Sequence, residues 1–254
     1  MKKTLFMIAA LGLMLAACDE TKQDTPTTFA INTITMDEYK DVTDEQIEDW
    51  FGFQSDYIDL DELARESSIH VELDMPVTNN ATLQENIENF IISDLDEEEL
   101  AAMGNLGDGH AFLQMKKDQF YHATYPVQEE SFTAKLAEET DNYVTYIKEK
   151  EGNYFIVDDA FSEGATFAKK TGKPFTWDMF TNMDGIFALI DEYNDGYEYI
   201  FPEPYINPWI QNGNVYIIYE RNDAFDEVCN FTFDQVKNFL TKEGQEYFAI
   251  KTKD

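Results

Sequence analysis

Positive charge is in short supply in this chain. Eighteen lysines and arginines stand against 51 aspartates and glutamates, for a formal charge of −33. Its arginines are Arg65 and Arg221. A surface of that sign repels phosphate backbones and argues against nucleic-acid binding. It also repels an anionic bilayer, so any hold on lipid must come from something other than the folded surface. The same field attracts cationic partners and speeds their encounter.

Metal-binding and nucleophilic residues are scarce too. The histidines are His70, His110 and His122. No His-Glu-x-x-His occurs, and His110 and His122 lie too far apart for a zinc pair on one helix. The sequence offers no metal site and implies no cofactor. The loop start Asp191-Glu192-Tyr193-Asn194-Asp195-Gly196 fails as a calcium loop: Tyr193 takes its third position and Pro202 its twelfth. No Gly-x-Ser-x-Gly or Ser-x-x-Lys set is present. A glycosidase needs only a pair of carboxylates, and with 51 acids that criterion discriminates nothing. No catalytic residue is assigned, and the sequence reads as a binding protein rather than an enzyme. The cysteines are Cys18 and Cys229. Cys229 sits in an alternating apolar run with Val228, Phe231 and Phe233, which suits a buried thiol better than a nucleophile.

Acidity this strong can mark disorder, but 43% apolar and 15% aromatic residues supply a core. The first residues carry an address. Lys2 and Lys3 precede an apolar run from Leu5 to Leu15, followed by Leu15-Ala16-Ala17-Cys18. This is the layout of a secretory signal, and the apolar stretch is too short for a spanning helix. Leu-Ala-Ala-Cys resembles the bacterial lipobox, which implies cleavage after residue 17 and lipidation of Cys18. Several acyl chains on one residue meet the requirement for stable anchoring. Loss of Lys2 and Lys3 takes the charge from −33 to −35. Asp19 and Glu20 resemble the surface-export signal of Bacteroidetes lipoproteins. The expected location is the cell envelope, lipid-anchored, in the outer membrane and facing the periplasm or the surface.

The expected organisation is signal peptide 1–17, polar tether 18–28, an N-terminal half 29–109 and a C-terminal half 110–250. The alternation at 29–34 predicts a strand. Helical spacing of Ile47, Trp50 and Phe51 predicts a helix over 42–53, with a short helical turn at 59–62. Residues 69–77 alternate, with Ile69, Val71, Leu73 and Met75 on one face, and Pro76 is expected to end that strand. The longest helix is predicted over 80–103, with a capping box at Thr82 and Glu85. Its stripe is Leu83, Ile87, Phe90, Ile91 and Leu95. The acidic run 94–99 reads as a solvated face, and 104–109 as a loop between the halves. Strands are predicted at 142–148, 153–157, 165–169, 197–201, 214–219 and 228–233. A helical turn is expected at 176–180, with helices at 185–193 and after Thr232. Gln211-Asn212-Gly213-Asn214 is a turn between strands. The fold class is α+β, with mostly antiparallel or mixed sheets packed by a few helices.

The segment Phe201-Pro202-Glu203-Pro204-Tyr205-Ile206-Asn207-Pro208-Trp209 holds three of the seven prolines. Prolines stiffen a loop, and rigid aromatics can anchor a ligand. Glu203, Tyr205 and Trp209 are the candidate binding residues. The competing reading is a crossover whose aromatics fill the core.

The run from Phe161 to Phe180, with Lys170-Thr171-Gly172-Lys173 and Phe175-Thr176-Trp177-Asp178-Met179-Phe180, resembles an extracytoplasmic bacterial domain of unknown function. That domain occurs in a lysozyme-sensing anti-sigma factor and beside the catalytic domain of a peptidoglycan deacetylase. Asn86-Ile87-Glu88-Asn89-Phe90 is similar to the helix of its smaller companion domain. The family's Gly-Gly-Ala-His-Gly motif is replaced here by Asp159-Ala160-Phe161-Ser162-Glu163-Gly164, which lacks the histidine. Its Asn-Pro-Tyr element is replaced by residues 220–227. The resemblance implies an α+β fold and a cationic, lysozyme-like protein partner. The alternative it leaves open is a peptidoglycan- or glycan-binding accessory or hydrolytic role.

Overall fold

A computed structural model describes residues 26–51, 66–123, 129–153, 158–193, 199–200, 206–221 and 225–249. The expected signal peptide, the tether up to residue 25 and the turn at 59–62 lie outside them. So do Glu203, Tyr205 and Cys18.

Five strands make the first sheet, in sequential order: β1 (Phe29–Asp41), β2 (Glu66–Thr78), β3 (Glu129–Glu139), β4 (Tyr143–Asn153) and β5 (Asp158–Ala168). Neighbours are antiparallel except β2 and β3, which run parallel. A parallel pair needs a long crossover. Here it is α2 (Ala81–Ile91), α3 (Glu97–Met103) and α4 (His110–His122). These helices cover one face of the sheet, and α1 (Asp44–Phe51) joins β1 towards β2. Ile69, Val71, Leu73 and Met75 of β2 point into that layer, with Leu83, Ile87 and Ile91 of α2 and Phe112, Met115 and Phe120 of α4. The alternation seen in the sequence is therefore the inner face of the sheet.

The second sheet is centred on β8 (Asn214–Arg221). β9 (Phe225–Thr232) pairs along one edge of β8. The other edge is shared by two short strands, β6 (Tyr199–Ile200) against Glu220 and Arg221, and β7 (Trp209–Gln211) against 214–216. Asn212 and Gly213 form the β7–β8 turn, with φ of 52° and 74°. Asn-Gly suits that left-handed pair. Ile210, Val215, Ile217, Tyr219, Cys229 and Phe231 pack with Ile186 and Ile190 of α5 (Met183–Tyr193) and Val236 of α6 (Phe233–Val236) into a second core. A 3₁₀ turn (Trp177–Met179) and α7 (Lys242–Glu246) complete it. The result is α+β with one mixed and one antiparallel sheet, as the sequence predicts.

Several boundaries differ. The helix expected over 80–103 is two helices. Asn80 caps α2 by accepting from Leu83 N, in place of the Thr82 and Glu85 pair. Asp96 and Glu99 form the capping box that starts α3 anew. Pro76 lies inside β2, opposite Ile31. β3 pairs with β2 only as far as Leu73, so Pro76 sits where one flank of the strand is free and a missing donor is tolerated. Strand β3 and helix α4 carry no expectation from the sequence. The 104–109 loop joins two helices of one layer, and the first core draws residues from Ile69 to Phe167 across it. Tyr143 of β4 and Ala168 of β5 pack into the second core, so the first sheet contributes to both.

Candidate functional site

The two motifs behind the resemblance meet in space. Gly172 has φ +75°, and a Cβ there would come within 2.5 Å of Leu83 N. Asn86 donates its Nδ2 to the Gly172 carbonyl at 2.9 Å, and Asn80 donates to the Lys169 carbonyl at 3.0 Å. The Lys-Thr-Gly-Lys turn is thus a clasp between β5 and the start of α2. Its work is to hold the fold.

Trp209 is 4% exposed. It lies on the face of β5 away from the helices. Its ring stacks on Tyr216 with centroids 5.3 Å apart, and a Cβ at Gly164 would be driven into the indole. Next to it, Thr145 donates its hydroxyl to the Ile210 carbonyl at 2.6 Å. Ile210 N donates to Thr166 Oγ1 at 2.8 Å, and that hydroxyl lies 2.8 Å from Thr145 Oγ1. The Thr145–Thr166 pair thus docks edge strand β7 onto the first sheet. Burial leaves the indole no open face for a sugar ring.

Along the same interface the sheets part into a cleft of about 250 Å³, lined by Glu149, Glu151, Ala160, Phe161, Ser162, Ile218 and Val228. Register explains the lining. Glu149 pairs with Ser162, Glu151 with Ala160 and Ile218 with Val228. Val228 is 42% exposed at its mouth.

Lys148 is the charged residue that the sequence left unremarked. Its side chain is fully buried, with Nζ on Asp94, 2.5 Å from Glu163 and 2.7 Å from Ser93 Oγ. It also donates to the Phe90 carbonyl at 3.3 Å and lies over the Phe90 ring at 5.0 Å. Asp94, part of the run expected to be a solvated face, is one leg of this clamp. The clamp ties the end of α2 to β4 and β5. With its donors taken by these partners, Lys148 serves as a structural clamp.

A concavity of about 690 Å³, open to solvent, lies between α3 and α4. Ala102, Met103, Ala111 and Met115 form its floor; Asp96, Glu98, Glu99, Asp118, Gln114 and Gln119 form its rim. Gln119 donates to Glu99 at 2.7 Å and Gln114 to Asp118 at 2.9 Å. The lysines of α4 offset little of this charge. Lys116 is 12% exposed, 5.6 Å from the Phe112 ring and 5.8 Å from the Phe132 ring, with its ammonium 3.9 Å from Glu99 of the rim. Lys117 binds Glu38, which Lys117 and Tyr121 together hold below the usual carboxylate range. Lys116 offsets Glu99, and Asp96, Glu98 and Asp118 leave the rim with a net negative charge.

Cys229 is buried, its Sγ 3.5 Å from the Ile217 carbonyl, and burial pushes the thiol up to about 12. A thiol so protonated is no nucleophile at neutral pH. His70 contacts Asp37 at 2.8 Å, His110 contacts Asp108 at 3.1 Å and His122 contacts the Asp118 carbonyl at 2.7 Å. No group of three or more metal-ligating side chains gathers among the described residues. Nor is any described helix long and apolar enough to cross a membrane.

No protein-family model and no curated protein matches the chain. Solved structures match in shape. A DUF3298-family protein from Pseudomonas aeruginosa aligns over 90% of this chain and 99% of its own, with a TM-score of 0.54 and 10% identity. A DUF3298-family member from Bacteroides fragilis covers 89% of this chain and 100% of its own at 8% identity, with a TM-score of 0.49. At such identities the first likeness speaks for the fold alone: this chain folds like a DUF3298-family protein.

Proposed function

We propose that this protein is a lipid-anchored component of the bacterial cell envelope that binds a cationic protein of the lysozyme type. The charge of −33 carries the reading. It favours a basic partner and disfavours nucleic acid and anionic lipid. The lipobox-like Leu15-Ala16-Ala17-Cys18 supports the anchor, and the sequence resemblance supports the partner class. A glycan-binding alternative is left with Glu203 and Tyr205, since Trp209 is enclosed.

Two experiments test the reading. Cells fed labelled palmitate should label the wild-type protein and not Cys18→Ala; label on the variant would refute the anchor. Immobilised protein should retain lysozyme at low ionic strength and release it as salt rises. No retention at low ionic strength would refute the partner.

A further inference from the structure

We infer that the crevice between α3 and α4 is a docking groove for a cationic amphipathic helix of the partner protein. The inference rests on the proposed binding of a basic protein and locates it on the molecule.

Shape comes first. Asp96, Glu98, Ala102 and Met103 of the α3 segment face Ala111, Gln114, Met115 and Asp118 of α4 across the crevice. On α3, Glu98 and Ala102 are four residues apart; on α4, Ala111, Met115 and Asp118 follow the same helical spacing. Both walls are therefore helix faces, and their small residues let a third helix approach closely. Helix-in-groove recognition uses such an apolar floor, read by a partner's own apolar stripe at helical spacing. Two methionines in the floor can adapt to that stripe.

Charge decides which helix. Asp96, Glu98 and Asp118 stand on the rim, with Glu97 beside them on the first turn of α3. Lys116 lies over Phe112 and Phe132 and offsets Glu99 at 3.9 Å, and Lys117 is committed to Glu38, so Asp96, Glu98 and Asp118 carry the uncompensated charge. The glutamines already spend donors on Glu99 and Asp118. A neutral or acidic helix would meet this rim with like charge or unpaired carboxylates. A helix with Leu and Ala on one face and Lys or Arg flanking it would fill the floor and pair with the rim. Such complementarity steers encounter and rejects wrong partners.

The sheet–sheet cleft at Glu149 and Glu151 provides an internal control. It carries the same sign of charge but is smaller and walled by strands. The test titrates the whole protein with a labelled Leu/Ala/Lys amphipathic helix and with a scrambled peptide of the same composition. The helix should bind more tightly than the scramble. Glu98→Lys with Asp118→Lys should weaken it about tenfold or more, whereas Glu149→Lys with Glu151→Lys, the same change in net charge, should weaken it no more than about twofold. Ala102→Trp fills the crevice without altering charge and should weaken it as well. Equal binding of the scramble, equal loss in the control pair, no effect of Ala102→Trp, or no binding by wild type would each overturn the inference. Lysozyme separates this from the parent reading. If wild type and all variants retain lysozyme alike, the groove is wrong and the cationic partner stands. If wild type fails to retain it, the parent reading falls.

Discussion

Lys148 illustrates how a single residue can set the cost of a structure. Its ammonium is fully buried while Asp94 keeps 40% of its side chain exposed and Glu163 only 14%. Removing one partner of a buried pair strands the other charge. Lys148→Ala should therefore cost about 3 kcal/mol in chemical denaturation, chiefly through Glu163, because Asp94 can turn to water. Lys148→Met with Glu163→Gln should recover part of that loss; a double variant as unstable as Lys148→Ala would show that charge burial is not the cause. A second prediction concerns alkali. Burial raises Cys229 from its ordinary 9.0 to about 12, and raises Tyr143, Tyr146 and Tyr247 above their ordinary 10.0. Groups raised in the folded state contribute stability that is complete below their unfolded values and is lost as pH climbs. Lys40, lowered by burial, pulls the other way and is outnumbered. The denaturation midpoint should hold from neutrality to about pH 9 and then fall. A flat or rising profile above pH 9 would contradict the burial of these side chains.

Among the elements, β7 shows how a three-residue strand can be decisive. It is held by Thr145 and Thr166 on one side and covered by Gly164 against Trp209. Gly164→Val should cost about 1–3 kcal/mol, the penalty of overpacking a filled interior, measured as a shift in urea midpoint. No shift would mean that the indole can move aside. The segment containing Trp209 was open in the sequence to either a contact loop or a core crossover, and burial of Trp209 favours the core at that residue. Elements with strict periodicity were legible: β2 from Ile69, Val71, Leu73 and Met75, and α2 from Leu83, Ile87 and Ile91. Helix α4 was not, because Phe112, Met115 and Phe120 are interspersed with Lys116 and Lys117, whose charges are folded back onto neighbours. Strand β3 hides similarly behind Glu129, Glu130, Lys135 and Glu138. The break between α2 and α3 is hidden in the sequence because Leu95 continues the apolar spacing. The Asp96–Glu99 capping box signals a new start, and in sequence it looked like one more acidic run.

For the whole molecule, the fold class followed from alternating and helical stretches, and the clasp between Asn86 and Gly172 makes two motifs distant in sequence a single contact in the fold. The crevice between α3 and α4 could not be read from the sequence, since it needs both the helix break and the unanticipated α4. What the sequence did carry is the sign of the surface. An excess of 33 negative charges implies self-repulsion as well as attraction for cations. Added salt should therefore raise the stability of the free protein while weakening its complexes. The most direct test of the account is a lysozyme binding isotherm at ionic strengths from about 0.01 to 0.5 M, spanning Debye lengths from roughly 30 Å to a few ångström. The account predicts saturable binding at the low end, weakening steadily with salt and weakened further by Glu98→Lys with Asp118→Lys. Absence of binding at about 0.01 M, where attraction between opposite charges is least screened, would contradict it.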